Sequence, residues 1–286
     1  MIIGTRESKL ALAQTYQFRD RMAAAHPDVE CVIKGVTSTG DVDLKTSLKD
    51  MGGTGVFVRE LDAMLKDGTV HVTVNSLKDI PVNIDPALTV AAVLPRAAVE
   101  DAVIPVPWES LKPGCVLGTS SVRRSVLIRR DKPDVELKDI RGNMNTRLSK
   151  LAAGEYDAII MAKAGLDRLG ITENVHPVDK HILIPAAGQG AIAVECRADD
   201  EETIRLLKAL DDAKTRTEVT FERDVLRHMN AGCSSPIGVN AELVGDILKV
   251  IAVSFVPEEP VSIETSFPVS EASERAREIG NLLLRK

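Results

Sequence analysis

Aromatic side chains are scarce in this sequence, with one Trp, two Tyr and five Phe among 286 residues. That leaves little stock for the platforms on which single-stranded nucleic acids stack. Positive charge is also short: 36 Lys+Arg face 42 Asp+Glu, for a formal net charge of −6. Domains that grip nucleic acid through its backbone are basic as a rule, so no nucleic-acid partner is expected. No apolar run approaches the roughly 18 residues of a membrane span, so no membrane partner is expected either. Met1-Ile-Ile-Gly-Thr-Arg6 shows no basic stretch followed by an apolar one, the mark of an export signal. The four cysteines, Cys31, Cys115, Cys196 and Cys233, lie far apart with no C-x-x-C spacing. Neither a disulfide framework nor a metal site is expected from them, and a reducing cytoplasmic location fits.

What is present is ordinary globular material, 44% hydrophobic and 27% charged, in a length that suggests two or three domains. Short β-branched runs alternate with helical periodicities, which predicts an α/β class with mainly parallel sheets. Ile2-Ile3 opens a strand. Ala11, Thr15, Phe18, Met22 and Ala25 then recur at helical spacing, with Ser8 placed to cap the start and Pro27 to stop the end. Strands follow at Cys31 to Val36, His71 to Val74 and Leu88 to Leu94. Between them a helix carries Phe57, Leu61, Met64 and Leu65. After a Pro-rich break the pattern resumes, with strands near Val116, Asp134 and Asp157 and helices from about Ser121 and Asn143. Ile192 to Cys196 reads as a strand placed to return to the first sheet. Thr215-x-x-Glu218 reads as a capping box that opens a helix through Met229. Three close strands and a final helix then form a small α+β tail. The division expected is residues 1–95 plus 190–212, residues 96–189, and residues 213–286.

Charge is distributed unevenly. Thr119 to Lys150 holds nine Lys/Arg against four Asp/Glu, a local net of +5 that leaves −11 for the rest. Gly118-Thr-Ser-Ser-Val-Arg-Arg124 falls where a strand turns into a helix. Free N–H groups at a helix start, with the hydroxyls of Thr119, Ser120 and Ser121, suit an anion. Adjacent helical side chains leave the axis about 100° apart, so Arg123 and Arg124 read as holders of two different anions. Arg141-Gly-Asn-Met-Asn-Thr-Arg147 repeats the arrangement at the next turn. Arg129, Arg130, Lys132 and Lys138 read as a solvated face instead. Guanidinium forks suit carboxylates as well as phosphates, and no P-loop or dinucleotide-binding spacing is present. Lys78 and Asp79, in Asn75-Ser-Leu-Lys-Asp-Ile-Pro81, sit at the C-terminal end of a strand, the edge where open α/β sheets bind ligands. An exposed turn is the alternative there. Cys233 lies on a Gly/Ser/Pro loop and reads as reactive, whereas the other three cysteines read as buried and inert.

Seven pieces occur in order: Gly4-Thr-Arg6-Glu-Ser8-x-Leu-Ala-Leu-Ala-Gln14, Gly52-Gly-x-Gly-x-Phe57, Ser76-Leu-Lys-Asp79-x-Pro81, Gly118-Thr-Ser-Ser-x-Arg-Arg124, Arg141-Gly-Asn-x-x-Thr-Arg147, Ala187-Gly-Gln-Gly-Ala191 and Gly232-Cys233-x-x-Pro-Ile-Gly238. This ordered set resembles the porphobilinogen deaminase (hydroxymethylbilane synthase) family over nearly the whole chain. The resemblance implies two periplasmic-binding-protein-like α/β domains around a cleft plus the small C-terminal domain. It implies a transferase of haem and tetrapyrrole biosynthesis that condenses four porphobilinogens head to tail, releases ammonia and yields hydroxymethylbilane.

The resemblance also assigns residues. Cys233 would carry a covalent dipyrromethane cofactor, and Asp79 would be the catalytic carboxylate. Lys78, Ser121, Arg123, Arg124 and Arg147, with Asp79, would hold the cofactor. Arg6, Ser8, Gln14, Phe57, Thr119, Arg141, Arg168 and Gln189 would meet the substrate. A monomer is implied, with the product passed to uroporphyrinogen-III synthase. Two positions depart from many relatives: Thr54 stands where Lys is common, and Asn75 where His is common. Two other readings of the arginines remain open, a two-lobed binder of carboxylate solutes and a phosphate-ester enzyme.

Overall fold

The structure, a computed structural model, describes residues 1–36, 58–232 and 235–285. From the N-terminus come β1 (Ile2–Arg6), α1 (Lys9–Ala25), β2 (Val32–Val36), α2 (Arg59–Lys66), β3 (Val72–Ser76), a 3-10 turn (Leu77–Asp79) and β4 (Leu88–Val93). The next segment holds β5 (Asp101–Ile104), β6 (Val116–Gly118), α3 (Val122–Asp131), β7 (Glu136–Lys138), α4 (Met144–Ala152), β8 (Ala158–Ala162), α5 (Lys163–Arg168) and β9 (His176–Pro177). Then follow β10 (Ile192–Arg197), α6 (Glu201–Leu207), α7 (Ala213–His228), β11 (Ile237–Val244), β12 (Ile247–Ser254), β13 (Val261–Pro268) and α8 (Ala272–Leu283). The chain divides into two compact units, residues 1–97 with 191–217 and residues 98–190 with 218–286.

The first unit is built on a five-stranded sheet of order β2-β1-β3-β10-β4. β1 runs parallel to β2 and β3, while β10 is antiparallel to both β3 and β4. The returning strand expected at Ile192 is therefore a central one, and its two antiparallel pairings make the sheet evenly mixed rather than mainly parallel. Helix α1 starts where Ser8 Oγ accepts the Ala11 N–H at 3.3 Å, which satisfies one of the orphan donors of the first turn. Phe18 and Met22, one turn apart, are both fully buried against Ile3, Val72, Val74 and Val194. The helix stops at His26, just before Pro27.

The second unit has a five-stranded sheet of order β7-β6-β8-β5-β9, with β6 parallel to its two neighbours and β5 antiparallel to its own. Ser121 and Asn143 cap α3 and α4 with their side chains, so both expected strand-to-helix turns exist. A three-stranded antiparallel sheet, β11-β12-β13, completes this unit. Ile251 and Val253 of β12 share a core with Trp108, Leu117, Leu127 and Ile160.

The capping box expected at Thr215 is not formed. Helix α7 begins earlier, and Asp212 Oδ1 accepts the Thr215 N–H at 2.8 Å. A carboxylate three residues upstream is well placed for the helix N-terminus. Thr215 Oγ1 instead accepts the Arg96 N–H at 3.0 Å, and Glu218 Oε1 accepts the Leu243 N–H at 3.0 Å.

Candidate active site

In the first unit, β3 ends at Ser76 and the chain tightens into the 3-10 turn. Leu77 N–H donates to the Ala191 carbonyl at 3.0 Å and Ile80 N–H to the Leu77 carbonyl at 3.2 Å. Leu77 and Ile80 are each 1% exposed, so two apolar anchors fix the turn and leave Lys78 and Asp79 half-buried between them. A cavity of about 50 Å³ opens beside it, with Arg6, Ser8, Gln14, Asn75, Ser76 and Asp79 among its lining residues. That volume admits one small functional group, far below the roughly 300 Å³ that encloses a whole ligand. Arg6 arrives from the end of β1, and Ser8 and Gln14 from the first turns of α1. Gln14 Nε2 donates to Ser76 Oγ at 2.8 Å. Asn75 Nδ2 donates to Glu195 Oε2 of β10 at 3.1 Å and to Thr73 Oγ1 at 3.4 Å. Among the described residues the cavity thus joins a guanidinium, two hydroxyls and two amides to one carboxylate, Asp79. It gathers four of the expected site residues: Arg6, Ser8, Gln14 and Asp79.

In the second unit, Thr119, Ser121, Arg123 and Arg124 come together at the β6–α3 turn, but the two arginines do not diverge. Arg123 Nη2 and Arg124 Nη2 both pair with Asp101, at 2.9 and 2.8 Å, and this carboxylate is wholly buried. The 100° between neighbouring helical positions describes where the side chains leave the axis, and a long guanidinium stem folds back over that angle. Arg123 Nη1 also donates to the Ile184 carbonyl at 2.7 Å, and Arg124 Nη1 to the Ile160 carbonyl at 3.1 Å. Burial lowers the Arg123 pKa, with Asp101 acting against that and the Arg124 charge adding to it. Gln189, also fully buried, donates to Val99 at 2.7 Å and to Asp101 Oδ1 at 2.9 Å. Its loop is held by buried Glu222, whose Oε2 accepts the Gly188 N–H at 2.7 Å. Arg124 Nε is buried with no hydrogen-bond partner. Two guanidinium groups therefore share one protein carboxylate, and one donor is left over.

Asp101 is not among the residues that the sequence motifs point to. Its one signal was a charged residue opening the apolar run Asp101-Ala-Val-Ile104, which implies a buried partner.

Arg141 and Arg147 lie half-buried at the β7–α4 turn, where Arg147 Nε donates to the Gly142 carbonyl at 2.9 Å. Gly142 has φ +107°, and a Cβ there would sit 2.7 Å from the Thr146 side chain, so this turn requires glycine. Arg168 closes α5, donates to the Gly190 carbonyl at 2.6 Å, and has its pKa lowered to about 10 by burial. It stays charged at neutral pH. Cys233, Phe57 and Thr54 lie outside the described residues. Of the other cysteines, Cys196 is buried, and burial pushes its thiol up to about 11. Cys31 and Cys115 are half-buried rather than buried, and burial raises both thiols as well. Among the described residues no cluster of three or more His, Cys, Asp or Glu is arranged to hold a metal. No described helix is long and apolar enough to cross a membrane.

Two family models match the chain. One, described as porphobilinogen deaminase, dipyromethane cofactor binding domain, covers residues 1–205, and the other, porphobilinogen deaminase, C-terminal domain, covers residues 216–286. A porphobilinogen deaminase of Roseiflexus sp. (strain RS-1) is 44% identical over 252 residues, 87% of this chain and 83% of that protein. One from Macrococcus caseolyticus is 40% identical over 266 residues, covering 90% and 86%. Among solved structures, substrate binding domain 2 of Lactococcus lactis GlnP aligns with TM-score 0.41 and 10% identity over 73% of this chain and 85% of that one.

Proposed function

The chain belongs to the porphobilinogen deaminase family, and from that premise we propose which residues perform the reaction. The activity is the condensation of four porphobilinogens to hydroxymethylbilane with release of ammonia, a transferase step of tetrapyrrole biosynthesis that uses a dipyrromethane cofactor. The observation that carries the assignment is the Asp79 cavity, in which the one carboxylate among the described residues lines the same space as Arg6, Ser8 and Gln14. Asp79 is the catalytic carboxylate. It accepts hydrogen bonds from pyrrole N–H groups and stabilises the positive charge that spreads into the ring as ammonia leaves. As a carboxylate it can also accept the proton that the newly coupled ring carbon gives up. Arg6, Ser8 and Gln14 bind and orient the substrate's carboxylates. Ser8 Oγ accepts the Ala11 N–H, which leaves its own O–H to donate outward.

The donor set in the second unit fits a cofactor that carries carboxylates. Arg124 Nε is a buried donor with no acceptor among the described residues, and two guanidinium groups share a single aspartate. Ser121, Arg123, Arg124 and Arg147, with Lys78 and Asp79, would hold the dipyrromethane, and Cys233 would attach it through a thioether. When bound, the cofactor supplies the primer on which the pyrrole chain is built. Thr119, Arg141, Arg168, Gln189 and Phe57 complete the proposed substrate contacts, though the burial of Gln189 favours a part in holding Asp101. We keep the small C-terminal segment from residue 213 as a third domain, a division supported by the family model that begins at 216. A cytoplasmic monomer that hands its product to uroporphyrinogen-III synthase completes the proposal.

The test is the intact mass of protein made in a tetrapyrrole-producing host. It should exceed the sequence mass by two porphobilinogens less two ammonias, and Cys233→Ser should remove the excess and the formation of hydroxymethylbilane together. An unmodified, folded wild type with no turnover overturns the assignment and favours a binder of carboxylate solutes.

A further inference from the structure

We propose that Asn75 is a substrate-contacting residue, whose amide oxygen, turned into the Asp79 cavity by buried Glu195, accepts a hydrogen bond from the aminomethyl ammonium of porphobilinogen. The inference rests on the functional reading above and adds to it how the cavity recognises the amine. A carboxamide has a donor end and an acceptor end, and the partners decide which faces where. Both N–H groups of Asn75 are taken, by Glu195 Oε2 at 3.1 Å and Thr73 Oγ1 at 3.4 Å. The sheet register explains why these three meet. Glu195 of β10 stands opposite Thr73 of β3, and Asn75 is two residues along on the same face. An ionised carboxylate only accepts, so a flipped amide would set oxygen against oxygen. Glu195, 1% exposed, is thus a positioning residue.

The acceptor end has a destination. Asn75 is 6% exposed and lines the cavity, and its Oδ1 takes no hydrogen bond among the described residues. The Asp79 carboxylate, which lines the same space, likewise takes neither a hydrogen bond nor an ion pair among them. Two acceptors in one small cavity call for a compact group rich in N–H donors. About 50 Å³ encloses one compact group such as an ammonium at a time, so the pyrrole ring and its carboxylates would meet the lining residues from the cavity's opening. Arg6, Ser8 and Gln14 line the same cavity, so acceptors and donors are offered together. Porphobilinogen has that mixed character, with two carboxylates and one alkylammonium. A contact to the ammonium that is kept until the C–N bond breaks stabilises bound substrate and transition state about equally, so it acts on binding rather than on the chemical step.

The experiment uses enzyme whose intact mass shows the primer attached. It compares porphobilinogen with the same pyrrole bearing methyl in place of aminomethyl, the latter as a competitive inhibitor. Asn75→Leu should raise KM for porphobilinogen about 10- to 100-fold, the range for losing a hydrogen bond to a charged group, with kcat nearly unchanged. The inhibition constant of the methyl compound should not move. Glu195→Gln frees the amide to flip, and should give a smaller KM rise confined to the amine-bearing ligand in the same way. If Asn75→Leu does not fold, Glu195→Gln alone reads that split. KM unchanged, or KM and the inhibition constant rising in parallel, overturns the inference. A wild type that turns over no porphobilinogen instead overturns the functional reading on which it rests.

Discussion

Asp79 and Asp101 each stand beside a strand end of a five-stranded sheet, and the two units use them in opposite ways. Asp79 follows β3 in a half-buried turn, opens on a cavity, and has no hydrogen-bond or ionic partner among the described residues. Asp101 opens β5, is fully buried, and is engaged by Arg123, Arg124 and Gln189. An unpartnered carboxylate costs least where water reaches it, and it is there that it can meet a ligand's developing charge. A carboxylate out of water must be paired by its own protein, and what it then gives is a fixed arrangement of the arginines around it. One acid is kept for chemistry and the other for architecture, although they look alike in sequence.

Three substitutions would break or sharpen that contrast. The largest effect is expected from Asp79→Asn, which keeps the shape of the turn. Turnover should fall about 10²- to 10⁴-fold, with an unchanged melting temperature in a calorimetric scan. Near-normal turnover would remove Asp79 from the reaction. Asp101→Asn should do the reverse in kind. It leaves two buried guanidinium groups without their carboxylate, and denaturant unfolding should show a loss of about 3–5 kcal/mol. A variant as stable as wild type would mean that Asp101 is not the keystone of the arginine cluster.

The smallest effect concerns a third acid, Asp62 of α2, which is partly buried. Its Oδ1 has no partner, and burial raises its pKa from 3.8 to about 6, partly opposed by Lys66 and reinforced by Asp85. A raised folded-state pKa favours the fold while the group is protonated. That contribution is complete below pH 4 or so and is lost as pH rises through about 6. Asp62→Asn should therefore raise the melting temperature at pH 7.5 and leave it unchanged at pH 4. Partial exposure screens the gain to roughly 1 kcal/mol or less. An equal shift at both values would show that the carboxylate charge is not the cause.

The parts of this molecule legible in its sequence are those governed by near neighbours. Ser8, Ser121 and Asn143 cap the helices whose periodicity they precede, and the alternation of runs gives both sheets. Pairings that join distant segments were hidden. Glu195 meets Asn75 across 120 residues, and Asp101 meets Arg123 across 22. Nothing in a local window reports such distances. The supposed box at Thr215 failed because a competing cap, Asp212, lay just upstream. At the candidate site, residue types and order pointed to Arg6, Ser8, Gln14 and Asp79, and folding gathers them. The divergence expected of Arg123 and Arg124 was a statement about Cβ directions, and their long stems do not obey it.

The place of β10 has a consequence for how the molecule is made. The sheet that carries Asp79 is interrupted by the whole of β5 to β9 before β10 slots between β3 and β4. All five strands of the second sheet lie between residues 101 and 177, in one unbroken stretch of chain. On a ribosome that adds about 5–20 residues each second, the second sheet has all its strands before the first can close. Until residue 197 emerges, β3 and β4 lack the strand that joins them, and Leu77 lacks the Ala191 carbonyl that anchors the catalytic turn. The segment translated first is thus the one completed last, and Asp79 acquires its setting only after every strand of the arginine-bearing sheet has been made.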